Sequence, residues 1–278
     1  MENIVINWLP KKGKIASCAS TGLKFEGLLK VQSKYTSNST VRFYRCATSN
    51  CMIAEKTLLS SDLSQQTLLR ERKALMQLDG FIAPRFVAIS ESQGEVRLRL
   101  RMVDGGLLSE IIAKDVLSPE ERSQICENLV MTVNLLHDKG IAHLDLAPNN
   151  ILLSDEGECG VVLLDFGFCA FAEELPFLRP KNSFTAHLSY AAPEQLGLGT
   201  NSISMEADLY ALGLIIREIY GYDDHIKNSY DDAKLFRKGN LSVTRLPENW
   251  QDIVRNLTCY APCERSRILT RSGDNNSS

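Results

Sequence analysis

Two carboxylates and an amide, set at fixed intervals around short apolar runs, constrain this chain more than any other feature. Asp145 and Asn150 stand five residues apart, and Asn150-Ile-Leu-Leu153 reads as an apolar strand. The polar turn Ser154–Gly160 leads to a second strand, Val161-Val-Leu-Leu164, and Asp165 opens Asp-Phe-Gly directly after it. Short apolar runs bounded by turn formers predict a hairpin. A hairpin of this length brings Asp145, Asn150 and Asp165 to one rim. Carboxylate and amide oxygens around one point suit Mg²⁺, a hard ion that also takes oxygens from substrate phosphates. A phosphoryl group leaves cheaply only with positive charge against its oxygens. Taken singly, Asp145 and Asp165 would be ordinary strand-end residues; the joint spacing with Asn150 points to chemistry.

The chain before this hairpin is rich in strands. Val31–Thr48 reads as two strands around the polar turn Tyr35–Thr40, and Cys51–Lys56 as the start of another. Residues 64–78 form an amphipathic helix with Leu68, Leu69, Leu75, Met76 and Leu78 as its apolar groups. Strands follow around Pro84–Ser90 and Glu95–Met102, and Asp104-Gly-Gly106 breaks the pattern. Lys56 on a strand and Glu71 on the next helix can pair, which would hold the lysine rigidly against phosphate oxygens. Arg97, Arg99 and Arg101 alternate and share one strand face, read as solvated.

The second half is more helical. Ser118-Pro-Glu-Glu121 is a helix start, with a serine cap, proline in the first turn and acids near the positive end. Ile125, Leu129, Val133 and Leu136 continue that helix to Gly140, and Ala207–Tyr220 forms a second one.

Composition narrows the functional classes. The net charge of −3 argues against nucleic-acid binding through a basic surface. No apolar run reaches membrane-spanning length, and the N-terminus lacks the features of a secretory signal. The eight cysteines contain no CxxC pair and read as thiols of a reducing compartment: the cytoplasm, or a host cytosol after export by a route unreadable in sequence. Cys259 and Cys263, four apart in a helical segment, lack the further ligands that zinc needs.

With these residues in place, the chain resembles the protein kinase superfamily over about residues 31–267. The strongest stretch is Leu135 to Leu153, in which His143-Leu-Asp-Leu-Ala-Pro-Asn-Asn150 is similar to the family's HRDLxxxN. Asp165-Phe-Gly167 and Ala192-Pro-Glu194 match its next two signatures. Asp208–Gly213 resembles the helix that anchors the catalytic loop, and Arg265 the late arginine that pairs with Glu194. The resemblance implies an α+β, two-lobed fold with a small antiparallel β-rich lobe carrying one main helix and a larger, mostly helical lobe. It divides the chain into residues 1–30 as an extension or extra strands, 31–103 as first lobe, 104–270 as second lobe and 271–278 as a disordered tail.

It also implies roles. Asp145 would orient the substrate hydroxyl, and Asn150 and Asp165 would hold Mg²⁺, or Mn²⁺ in its place. Lys56, fixed by Glu71, would contact the phosphates of ATP. Arg101, Met102 and Val103 would form the hinge along adenine, with Leu100 behind it. Glu194, Asp208 and Arg265 would be structural. The expected activity is transfer of the γ-phosphate to a protein hydroxyl, serine or threonine before tyrosine, with room for a regulatory partner. The alternatives are a pseudokinase scaffold and a kinase-like small-molecule phosphotransferase.

Four departures stand out. Lys34–Val41, where the glycine-rich loop would lie, contains no glycine. Leu144 replaces the arginine before the catalytic aspartate, Ala147 replaces a lysine, and His187 replaces a threonine. Without the arginine, phosphate on the 165–194 segment gains little from the catalytic loop. The segment is therefore expected to order through Phe166, Phe168, Phe171 and Phe177.

Overall fold

Alternation along the strands sets the first lobe. β1 (Leu28–Tyr35), β2 (Thr40–Cys46), β3 (Met52–Leu59), β4 (Phe86–Ser92) and β5 (Glu95–Arg101) form one antiparallel sheet in the order β1-β2-β3-β5-β4. The computed structural model describes residues 28–35, 40–46, 51–59, 62–179, 187–200, 202–223, 230–237 and 241–265. Residues 1–27 of the expected extension, the tip of the first hairpin and the tail expected over residues 271–278 lie outside them.

In register, Lys56 stands between Val41 and Leu98, while Glu55 stands between Arg42 and Arg99. Successive residues point to opposite faces, so Lys56 and Glu55 serve different surfaces. Here the structure corrects the reading of the arginine stripe. Arg99 is only 7% exposed, because Glu55 across the strand accepts its Nε at 2.7 Å and neutralises it.

The helix α1 (Asp62–Leu78) packs on this sheet. Its buried stripe is Leu68, Glu71, Leu75 and Leu78, spaced three and four apart. Leu69 and Met76, one position on, lie off that stripe and are about half exposed, contrary to expectation. A carboxylate thus occupies the middle of an apolar face.

The chain then enters the larger lobe through β6 (Gly106–Leu107), α2 (Leu108–Lys114) and α3 (Pro119–Asp138). Ser118 caps α3 in a reciprocal box: its hydroxyl accepts the Glu121 N–H, and Glu121 accepts the Ser118 N–H at 2.8 Å. Gly140, at φ +68°, ends the helix. After β7 (Ile141–Ala142) come β8 (Ile151–Leu153) and β9 (Val161–Leu163), paired antiparallel as Ile151↔Leu163. Asn150 belongs to a short 3-10 turn, Pro148–Asn150, rather than to the strand.

β10 (Ala170–Phe171) pairs with β7. α4 (Glu206–Ile219) is buried almost all round and forms the centre of this lobe, with α5 (Tyr230–Arg237) and α6 (Glu248–Leu257) beside it. The two lobes match the expected bilobal α+β class. Two details differ. Phe166 and Phe171 are buried, but Phe168 and Phe177 are surface residues, 37% and 79% exposed. Cys259 and Cys263 lie beyond α6, the latter in the 3-10 turn Pro262–Glu264, rather than on one helix.

The large lobe is pinned by Arg265. Its guanidinium donates to both Glu194 oxygens at 2.6 and 2.9 Å and to the carbonyls of Glu206, Cys259 and Tyr260. Both partners' side chains are fully buried. Arg265→Ala would strand a buried carboxylate, a loss commonly of about 3–5 kcal/mol. Chemical denaturation of this variant should show a stability loss of that order; an unchanged midpoint would contradict the assignment.

Candidate active site

Lys56, Glu71 and Asp165 come from a strand, a helix and a turn far apart in sequence, and the fold joins them. The Lys56 ammonium donates to Glu71 Oε2 at 3.1 Å and to Asp165 Oδ1 at 2.6 Å. Burial opposes charge on Lys56, but the two carboxylates outweigh it and hold the group above the ordinary lysine value. Burial lifts the Glu71 carboxyl above its usual range, with Lys56 pulling the other way. Asp165 is held below the usual range, because the Lys56 charge and hydrogen bond outweigh its burial. Asp165 adopts φ +60°, and its Oδ1 also accepts the Gly167 N–H. Gly167 is required here: a Cβ would lie 2.8 Å from Thr67 Cγ2 on α1.

The loop 143–150 is set from below by Asp208 on α4. Its Oδ2 accepts the His143 N–H at 2.7 Å and contacts His137 Nε2 at 3.0 Å, and its Oδ1 accepts the Leu144 N–H at 2.8 Å. This anchoring sustains Leu144 at φ +62°. His143 Nδ1 accepts the Asp145 N–H and its Nε2 faces the Leu164 carbonyl, which places the ring proton on Nε2. Asn150 Nδ2 donates to the Asp145 carbonyl and to Asp145 Oδ2, at 2.9 and 3.2 Å. The Leu164 N–H bonds the Asn150 carbonyl at 2.8 Å, so Asn150 and Asp165 are near neighbours across the hairpin.

Two oxygens stay open among the described residues. The Asn150 amide uses its nitrogen, leaving Oδ1, and Lys56 uses one oxygen of Asp165, leaving Oδ2. Asp165 is 41% exposed at the side chain. No group of three or more His, Cys, Asp or Glu ligands occurs among the described residues. One carboxylate and one amide oxygen nevertheless fit Mg²⁺, which fills its remaining positions with water and substrate phosphate. Where the hinge is expected, the Arg101 and Met102 N–H groups are committed to the carbonyls of Arg85 and Met52. Of the three residues expected there, Val103 keeps an N–H free among the described residues.

Several contacts at the site had no counterpart in the sequence reading. His187 reaches Asp145 Oδ1 twice, through its backbone N–H and through Nδ1, each at 2.9 Å. Gln195 bridges the Leu144 carbonyl and the Ala192 N–H, each at 2.8 Å. Arg237 on α5 donates to the carbonyls of Leu188, Ser189 and Ala191. Tyr190 is buried and its hydroxyl bonds Glu218. Only the departure at His187 was visible in sequence. Gln195 and Arg237 act through backbone groups, which carry no signature of their partner, and Tyr190 acts through a carboxylate 28 residues away. Ser183 and Thr185 lie outside the described residues.

The protein kinase domain matches residues 37–269 of the chain. The chain belongs to the protein kinase family. It is 25% identical over 258 residues to the serine/threonine-protein kinase STE20 of Saccharomyces cerevisiae, covering 91% of this chain and 26% of that protein. It is 31% identical over 206 residues to the maternal embryonic leucine zipper kinase of Xenopus laevis, covering 69% of this chain and 29% of the relative. The zebrafish (Danio rerio) protein of the same name is 31% identical over 172 residues, covering 59% and 24%. The chain thus spans less than a third of the length of these relatives.

The His187–Asp145 contact has a consequence for titration. The hydrogen bond to Asp145, with that carboxylate's charge and Asp165's, raises the His187 imidazole above its ordinary value, against the opposing effect of burial. The ordinary value is about 6.5. A raised folded-state value means that the pairing contributes stability in full below about pH 6.5 and loses it as pH rises through the folded value. Imidazole NMR should show His187 titrating above the ordinary value, and Asp145→Asn should lower it. A wild-type His187 at or below the ordinary value would contradict the contact.

Proposed function

We propose that this chain transfers the γ-phosphate of ATP to a hydroxyl of a protein substrate, serine or threonine rather than tyrosine. The observation that carries the reading is the Lys56 ammonium held between Glu71 and Asp165, next to the Asp145–Asn150 pair. A scaffold has no chemical need for a largely buried ammonium braced by two carboxylates beside open Asn150 and Asp165 oxygens. The name of the yeast relative, a serine/threonine-protein kinase, supports the choice of hydroxyl.

In this reading Val103 receives adenine through its N–H, and Lys56 lies along the phosphates with Glu71 fixing its direction. Asn150 Oδ1 and Asp165 Oδ2 would hold Mg²⁺, which supplies positive charge to the phosphate oxygens. Asp145 accepts the hydroxyl hydrogen bond and aims the oxygen. Its Oδ1 already carries two donors from His187, so Oδ2, with one donor from Asn150, keeps room for the substrate. No described helix is long and apolar enough to cross a membrane. The proposal places the protein in the cytoplasm, in line with cysteines read as thiols.

A transfer assay with ATP and Mg²⁺ on panels of proteins, peptides, small alcohols and sugars tests the reading. Wild type should label proteins or peptides and lose activity with a chelator. Asp145→Ala should lower the rate by about 10²–10⁴-fold while keeping nucleotide binding. Asp165→Ala should abolish Mg²⁺-dependent nucleotide binding. Full activity in Asp165→Ala would reject the metal site, and labelling of alcohols or sugars alone would reject the protein substrate.

A further inference from the structure

The helix that carries Glu71 is gripped from its outer side by the chain that follows Asp165-Phe-Gly167. Arg70, adjacent to Glu71, donates through Nη1 to the Cys169 carbonyl at 2.9 Å and to Glu174 Oε2 at 3.2 Å. That same Oε2 accepts the Phe171 N–H at 3.0 Å. One turn on, Lys73 bonds Glu173 Oε1 at 3.0 Å, and its ammonium sits 3.5 Å from the centroid of the Phe171 ring. Phe171 is buried and tied to β7 through β10. The C-terminal end of α1 is held separately, by Gln77 donating to the Lys139 carbonyl.

Exposed ion pairs alone are weak, and Lys73 and Glu173 are both more than half exposed. Arg70 differs in kind. Its single nitrogen joins a backbone carbonyl to a carboxylate that is itself fixed by a backbone N–H. A shift of α1 away from the site breaks these bonds together and also separates Glu71 from Lys56. Arg70 and Lys73 already have carboxylate partners within the chain, so added phosphate finds neither of them vacant.

Building on the phosphotransfer reading, we infer that Arg70 and Lys73, with Glu173 and Glu174, form an acid-based latch that holds α1 in its working position without phosphate. Arg70 is a positioning residue: it touches no reacting atom and acts by keeping Glu71 on Lys56.

The test compares wild type with Arg70→Ala/Lys73→Ala, Arg70→Lys and Glu174→Gln, all treated with phosphatase. Hydrogen exchange over α1 and residues 166–178 is measured alongside kcat and the KM for ATP. The double variant should exchange faster in both segments and lose at least about tenfold in kcat, with a larger effect on kcat than on KM. Arg70→Lys, which can still reach one acceptor, should recover part of the loss. Should the double variant fail to fold, Glu174→Gln keeps the side-chain shape and should show the same changes in smaller measure. Wild-type exchange and kcat in the folded variants would overturn the latch. A wild type that transfers no phosphate would overturn the phosphotransfer reading instead, and the exchange comparison would then decide the latch alone.

Discussion

An ammonium taken out of water is tolerable only if opposite charge comes with it, and Lys56 meets that condition with partners from two other elements. Glu71 arrives on α1 and Asp165 on the turn after β9. Each carboxylate is in turn placed by packing: Glu71 by the Leu68, Leu75 and Leu78 stripe around it, Asp165 by the close approach of Gly167 to Thr67. The sheet, the helix and the Asp-Phe-Gly turn are therefore mutually dependent. Displacing the sheet or the helix parts the buried Glu71 carboxylate from Lys56, and displacing the turn removes the shorter of the ammonium's two bonds.

The second lobe applies the same logic to backbone groups. Asp208 satisfies two consecutive amides of the loop that carries Asp145, and so sustains Leu144 in a conformation that L-residues rarely adopt. Arg265 does the converse, joining the Glu194 carboxylate to three carbonyls. Both charged groups sit beneath the site rather than in it. They fix loop geometry through buried bonds, and buried bonds of this kind are strong because no water competes.

Much of this was legible in the sequence, and the pattern of success has a physical basis. The β8–β9 hairpin, the α3 start at Ser118 and the Lys56–Glu71 pairing rest on periodicity, caps and fixed spacing, all local signals. Arg99 was misread because its burial depends on Glu55, 44 residues away. Leu69 and Met76 were misread because composition does not tell which side of an apolar helix meets the sheet. Phe168 and Phe177 were expected to pack and so order the segment, for their aromatic chemistry alone. Arg237, Gln195 and the Arg70 contacts escaped altogether, since their partners are largely backbone atoms, and any sequence can provide those.

The missing arginine at Leu144 acquires meaning in this setting. The segment after Asp165 is held by Arg70, Lys73, Gln195 and Arg237 through carbonyls and carboxylates already in the chain. Tyr190 is committed to Glu218. On this account the site is assembled by folding alone. The most direct measurement is phosphoryl transfer by protein that has been stripped by phosphatase and verified as phosphate-free by mass. The account predicts that most of the activity remains. A loss above about tenfold, restored by phosphate on Ser183 or Thr185, would contradict it.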